Sequence, residues 1–481
     1  MYLGIDIGTS GVKAVLMQSD GGVLHQATAP LTVSRPQSLW SEQQPDDWWA
    51  AVQTAVLSLP QADRSRVQAI GLSGQMHGAT LLDESDQPIR PAILWNDGRS
   101  QQQCQVLEDR VSGFHALAGN LAMPGFTAPK LVWMAENEPE MFTQVAKVLL
   151  PKDYIRLRMT GDYASDMSDA AGTLWLDIGA RDWSTELLRA CELTRDHMPS
   201  LYEGCEITGA LRSGVAEVWG VPEGVPVAAG GGDNAAGAVG AGVVSPGDTF
   251  LSLGTSGVLF TANTDYRPNV ENGVHTFCHA LPELWHQMSV MLSAASCVDW
   301  AVRLTGAASA AALIAQAEQA DQFGASSPTF LPYLSGERTP HNDPNATGLL
   351  FGMTHDSGPA EIAQAVLEGV AHGFTDGLDA LTSSAEIDSI TVIGGGARSA
   401  YWGRILAAAL ARPLIYRKNA DVGPALGAAR LAQMAANGER IASFPAPDVE
   451  HVIEPDPEDM DIMSRKLERY RQLYRRTKDL N

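Results

Sequence analysis

Basic residues are scarce in this sequence: 33 Lys and Arg stand against 56 Asp and Glu, a formal charge of −23. Such an excess of acid repels nucleic acid and anionic membrane surfaces, so neither is an expected partner. Cysteine is also sparse. The five residues Cys104, Cys191, Cys205, Cys278 and Cys297 form no CxxC, and their odd number suits scattered reduced thiols in a cytoplasmic protein. The stretch Met1 to Asp6 lacks the basic region of a signal peptide, and no run of ~18 apolar residues reads as a membrane span. HExxH, paired CxxC and GxxxxGK[ST] are all absent, which excludes the usual zinc motifs and a Walker loop. What is present is ordinary globular material, with 45% hydrophobic and 19% charged residues over 481 positions. That length fits two or three domains of ~150 residues.

Glycine, with 46 copies, organises the chain. Ile5 and Ile7 alternate around Asp6, Gly8-Thr9-Ser10-Gly11 turns the chain, and Val12 to Met17 resumes an apolar run. This is the pattern of a β-hairpin. Pro45 to Leu59 reads as a helix with proline near its start. Val67 to Leu72 and Ala92 to Trp95 read as short strands. IDIGTSGV at 5–12 returns as LSLGTSGV at 251–258, 246 residues later and about half the chain away. The common context of strand, turn and strand indicates internal duplication of an α/β domain. A second pairing, Val225–Ala229 before Gly230 to Gly232 and Ser389–Ile393 before Gly394 to Gly396, points the same way. The small-residue helices 234–241 and 424–432 follow. Their Ala/Gly faces suit either a hinge seam between domains or plain tight packing. The division falls near Gly242 to Gly247, giving domains 1–243 and 244–481. Pro445 to Asp461 reads as an acidic surface loop, and Ser464 to Leu480 as a terminal helix packed on the surface.

Two glycine turns, one per domain, suit a nucleotide held in a cleft, because Gly lets backbone amides approach phosphate oxygens. Lys13 adds charge beside the first. Asp6, inside an apolar strand, is costly unless paired, hydrogen-bonded or linked to a metal. It either caps the turn or holds Mg²⁺ through water. Asp233, after three glycines at a strand end, is either a helix N-cap or a general base that takes a proton from a sugar hydroxyl during phosphoryl transfer. His77 and Trp95-Asn96-Asp97 end strands with the polar and aromatic groups a sugar pocket needs. A metal site at His275, Cys278 and His279 is rejected, because alternation puts Cys278 on the opposite face from His275.

These residues resemble the FGGY family of carbohydrate kinases along essentially the whole chain. GIDIGTSGVK (4–13) and LSLGTSG (251–257) look like the family's two phosphate motifs, and GGGARS (394–399) like its adenosine motif. The stretches 125–133 and 348–368 resemble its two signatures. Gln75 to Gly78, Trp95 to Arg99 and Leu331 to His341 are similar to the xylulokinase branch, and the Arg-Glu pair of glycerol kinases is missing at Met76-His77. The resemblance implies an α/β fold of two duplicated ribonuclease H-like domains around a catalytic cleft, using ATP and Mg²⁺ to phosphorylate D-xylulose. It implies Asp233 as the base and Asp6 as the residue that positions Mg²⁺, with Asp233 beside the same ion. Sugar contacts fall to Met76, His77, Asn234 and Trp95. ATP contacts fall to Thr9, Ser10, Lys13, Gly254, Thr255, Gly395, Gly396 and Ser399. Glu337 and Arg338 would brace the second domain, and relatives that pair through that domain imply a homodimer.

Overall fold

Leu3, Ile5 and Ile7 are fully buried, so the alternating apolar side of the first strand seeds a sheet. The protein is described by a computed structural model covering residues 1–480 except 321–322, 324–326, 395, 397–398, 419–422 and 443. Strand β1 (Tyr2–Ile7) runs antiparallel to β2 (Gly11–Met17), and β2 to β3 (Val23–Pro30). Helix α1 (Pro45–Leu57) begins with Pro at its first turn, followed by Asp46 and Asp47, and buries Trp48, Val52 and Val56. The chain returns as β4 (Ala69–Gly74), parallel to β1. After an inserted lobe containing α2 (Thr127–Asn137), helix α3 (Pro151–Thr160) packs on the first sheet beside α1, and strands β5 (Ile207–Ala210) and β6 (Pro226–Ala228) complete the order β5-β6-β4-β1-β2-β3. A two-residue strand, β7 (Gly231–Gly232), continues alongside β4 and opens into helix α4 (Asp233–Ala241).

The second half repeats the plan. Its strands are β8 (Thr249–Leu253), β9 (Gly257–Asn263), β10 (His275–Cys278), β11 (Trp285–Met291), β12 (Ile390–Ile393), β13 (Leu414–Arg417) and β14 (Val449–Ile453). They lie in the order β10-β11-β9-β8-β12-β13-β14. In each sheet a central first strand has an antiparallel hairpin partner on one side and two parallel strands on the other. That is the duplicated ribonuclease H-like α/β frame. The helices that matter below are α5 (Ala295–Thr305), α6 (Pro359–Ala380), α7 (Ala400–Leu410), α8 (Gly423–Asn437) and α9 (Pro457–Thr477).

Two expectations need correction. The strand at 225–229 is not the counterpart of 389–393. β6 is separated from β1 by β4, whereas β12 pairs directly with β8. The counterparts are β6 with β13 and β4 with β12. The glycine runs look alike because each meets the same local need. Gly230 (φ +78°) and Gly394 (φ +96°) are left-handed, and a Cβ would stand 1.8 Å from Leu72 O and 2.8 Å from Leu253 O respectively. Likewise 445–461 is more than a loop. It supplies edge strand β14 and the first turn of α9, capped by the Asp456 carboxylate.

The two halves interlock behind the site. Helix α8, from the second half, lies against the first sheet, where Ala425, Leu426, Ala429 and Ala432 pack on Tyr2, Val15, Met17 and Ala69. The approach excludes side chains: a Cβ on Gly4 or Gly71 would sit 2.0 Å from Ala425 O or 1.9 Å from Ala428 O. Helices α4 and α8 cross just as closely: a Cβ on Gly427 would sit 1.7 Å from Ala236 O. The inserted lobe shares one apolar cluster with Phe250, Phe260 and Phe277 of the second sheet. Among the described residues no single helix is long and apolar enough to cross a membrane.

Candidate active site

Neighbouring strands bring the two singled-out aspartates to the same end of the first sheet's central strands. Asp6 on β1 is beside Ser73 on β4, and Ser73 is beside Gly231 on β7, two residues before Asp233. Asp6 Oδ1 is buried and has no hydrogen-bond partner among the described residues. The turn after it is closed by its own backbone, Gly8 N–H to Gly11 O (3.0 Å), so Asp6 is not a cap. Burial pushes its carboxyl up to about 6, with Ser73 and Lys13 pulling the other way. Asp233 is not an N-cap either. Gly232 occupies that position, and among the described residues Asp233 Oδ1 accepts from its neighbour Asn234, through N (2.7 Å) and Nδ2 (3.0 Å). Burial, reinforced by the charge of Asp6, pushes Asp233 up to about 7. A carboxyl poised there can take a proton near neutrality.

The sugar-side residues gather around this pair. Met76 is buried beside the backbone that leads to Asp233; a Cβ on Gly232 would stand 2.9 Å from Met76 Cγ. His77 adopts φ +70° and places Nδ1 2.6 Å from Gly172 O. The carbonyl can only accept, so Nδ1 carries the proton and Nε2 is an acceptor. Burial pushes His77 down to about 3, which keeps the ring neutral. Phe126 packs edge-on at 4.7 Å, and Phe277 of the second half lies at 6.4 Å. Trp95 is 49% exposed and donates its indole N–H to Thr9 Oγ1 (2.9 Å). Asp97 is instead structural: it accepts from Ser41 N (2.6 Å) and from both sides of the Arg99 guanidinium (2.9 and 2.7 Å). Glu337 accepts from Leu292 N (3.0 Å) and Arg338 N (2.7 Å), while Arg338 meets His275 Nε2 (3.0 Å), so both brace loops.

Sequence reasoning passed over several supports. Lys130, fully buried on α2, donates to His77 O (2.8 Å) and Gly125 O (2.9 Å), and Thr127 Oγ1 adds a second donor to His77 O (3.2 Å). Burial pushes Lys130 down to about 7. A lysine within the apolar helix Thr127–Asn137 was the available signal. Behind β7, Gly232 N–H donates to Ser168 Oγ (3.1 Å). The buried Lys152 ammonium lies 2.8 Å from Asp166 and 3.2 Å from Asp169.

The nucleotide-side residues divide in two. In the first turn Ser10 is exposed at the tip and Lys13 stands opposite Asp6, but the Thr9 hydroxyl proton is committed to Gln75 Oε1 (2.9 Å). A phosphate contact would therefore fall to the backbone of the turn rather than to that hydroxyl. In the second turn Thr255 is exposed. Its carbonyl accepts from Ala294 N (2.9 Å) and Ser296 Oγ (2.8 Å), and Gly254 O accepts from Ala295 N (2.9 Å). Gly396 packs on the tip of β8, where a Cβ would reach Leu253 Cγ at 2.6 Å. Ser399 caps α7 by accepting from Trp402 N (3.2 Å). Gly395 lies outside the described residues.

Residues 1–240 match the FGGY family of carbohydrate kinases, N-terminal domain, and residues 249–436 its C-terminal domain. The chain belongs to the FGGY family of carbohydrate kinases. Among FGGY kinases it is 56% identical over 478 residues to the xylulose kinase of Escherichia coli (strain K12), covering 98% of each chain. It is 58% identical over 441 residues to the xylulose kinase of Klebsiella pneumoniae, 91% of each. The crystal structure of a "xyloylose kinase" from Brucella ovis superposes with a TM-score of 0.96 at 48% identity, covering 100% of both chains.

Proposed function

We propose that this FGGY kinase transfers the terminal phosphoryl group of ATP to the 5-hydroxyl of D-xylulose. The observation that carries the reading is Asp233, poised at about 7 at the start of α4, with Met76 against the backbone that leads to it. High identity to xylulose kinases over nearly the whole chain supports the choice of sugar. Asp233 accepts the hydroxyl proton as the oxygen attacks phosphorus, and the neutral His77 Nε2 accepts a hydrogen bond from a sugar hydroxyl. Met76 and Trp95 form the apolar wall, and Asn234 steadies the base. The N–H groups of the turns at 8–11 and 254–257, with Lys13 nearby, hold the phosphates. Gly396 and the start of α7 at Ser399 border the adenosine. Catalysis of this kind rests on positioning and charge neutralisation, with no covalent intermediate.

The residues fit Mg²⁺. Asp6 presents a buried oxygen with no hydrogen-bond partner among the described residues, and its charge is felt at Asp233. Among the described residues no group of three or more His, Cys, Asp or Glu is arranged to hold a metal, so the ion would keep water and phosphate as its other ligands. It would supply neutralisation of charge on the transferring phosphoryl group. We place the domain division at 243/244, with α4 and α8 as the hinge, and the protein in the cytoplasm as a homodimer without nucleic-acid or membrane partners.

ADP release should be measured with Mg-ATP across D-xylulose, D- and L-ribulose, glycerol, gluconate and no sugar. A strong preference for D-xylulose is expected. Preference for another polyol would overturn the assignment of the sugar and leave the family intact.

A further inference from the structure

Gln43 belongs to no motif, yet it is 2% exposed and is the hub of a closed hydrogen-bond ring under the first phosphate turn. Its Nε2 donates to Thr9 O (2.8 Å) and Thr32 O (3.3 Å), and its Oε1 accepts from Trp48 Nε1 (2.9 Å) and Gln75 Nε2 (2.9 Å). Gln75 Oε1 accepts from the Thr9 hydroxyl (2.9 Å), which in turn accepts from Trp95 Nε1 (2.9 Å). The indole of Trp48 can only donate and the carbonyls of Thr9 and Thr32 can only accept, so they fix the orientation of both amides. Every group in the ring then has one possible polarity.

The ring joins two places that bind different ligands. On one side Gln75 runs directly into Met76 and His77, and Trp95 stands half-exposed on the wall. On the other, Thr9 is held through both its carbonyl and its hydroxyl, and it sits in the turn 8–11. Gln43 is also in the two-residue strand Glu42–Gln43, which pairs with Ala92–Ile93 just before Trp95. A shift of the sugar-side wall therefore cannot leave Thr9 where it was without breaking buried hydrogen bonds and stranding buried partners.

We propose that Gln43, Gln75 and Thr9 form a strap through which sugar on the Met76–His77–Trp95 wall sets the geometry of the first phosphate turn, with Gln43 as a positioning residue. The inference rests on the reading that this cleft holds sugar beside ATP. Its signature is thermodynamic: sugar changes nucleotide affinity by some factor, and nucleotide changes sugar affinity by the same factor.

The test measures the dissociation constant of a non-hydrolysable ATP analogue with Mg²⁺, with and without the sugar that the wild type phosphorylates fastest. Wild type, Gln43→Leu and the near-isosteric Thr9→Val are compared. Wild type should show coupling of about 5-fold or more. Both variants should fall to within about 2-fold of no coupling, with a smaller change in nucleotide affinity in the absence of sugar. A role confined to stability would reduce the amplitude of binding and leave the coupling factor of the folded fraction at the wild-type value, which would overturn the proposal. No coupling in the wild type would overturn it equally. A wild type that prefers a sugar other than D-xylulose sinks the substrate assignment alone, because coupling is then measured with that sugar. Thr9→Val leaves the Gln43–Trp48 bond in place, so poor folding of Gln43→Leu does not remove the test.

Discussion

The same five residues, Gly-Thr-Ser-Gly-Val, make the first turn of both halves, and the two copies differ in almost everything around them. At the first, Ile7 pairs with Val12 and four residues form the turn; at the second, Leu253 pairs with Gly257 and only three do. The first has Asp6 before it, opposite Lys13; the corresponding position in the second is Ser252, opposite Val258. The first is held from beneath by the side chains of Gln75 and Gln43. The second is held by backbone N–H groups from the start of α5. Duplication thus supplied two similar turns, and single positions beside them decide which one carries a buried carboxylate.

Breaking the asymmetry at its strongest point should have the largest effect. Asp233→Asn should lower sugar-dependent ADP release by about 10³-fold or more with the fold retained, checked by steady-state kinetics and circular dichroism. Asp6→Asn should follow with a loss of about 100-fold. Ser252→Ala, the matching change in the other half, should stay within about 3-fold. Comparable losses at 6 and 252 would dissolve the contrast. On the sugar side, His77→Ala should raise the KM for sugar about 10-fold while leaving that for ATP nearly unchanged.

A pH series sharpens the same contrast. Both acidic groups near the first turn stand above the ~3.9 of an unfolded Asp, at about 6 for Asp6 and about 7 for Asp233. The folded state therefore keeps protons that the unfolded chain has released. Stability from this source is complete below about pH 4 and is lost as pH rises through 6 and 7. Asp233→Asn should melt at a higher temperature than the ligand-free wild type at pH 8, and the advantage should vanish by pH 4. In the free enzyme kcat/KM should climb as pH rises through about 7. The smallest effect belongs to the second half, where Ser399→Ala removes a helix cap worth about 1 kcal/mol and should lower Tm by a few degrees.

Much of the architecture was readable along the chain because it is local. Alternation around Asp6 and the glycines at 8 and 11 are enough for a hairpin, and Pro45 before two aspartates is enough for a helix start. Asp6, Asp233 and His77 were readable because a charged or polar group at the end of an apolar strand demands a reason. The remainder depends on contacts between distant segments. Identical pentapeptides cannot reveal a register difference that accompanies different neighbours: Gly257 is pressed on Phe374 of α6, and Gly11 on Ala29 O. The glycine runs after 229 and 393 look homologous because both need left-handed backbone, although their strands hold different places. Gln43 carries no local sign of what it holds, since Thr9 and Gln75 lie 34 and 32 residues away, and a buried Lys130 does not reveal that it holds His77, 53 residues away.

The seat of α8 on the first sheet has a consequence for biosynthesis. The sheet is complete in its strands by residue 232, yet the face formed by Tyr2, Val15, Met17 and Ala69 meets its cover only when residues 425–435 have been made. On the ribosome the first half must wait, partly bare, for some 190 further residues, about 10–40 seconds at ordinary elongation rates. A chain truncated before α8 would expose that apolar face permanently. Supplying the missing half in trans, rather than lengthening the first, is what should rescue it.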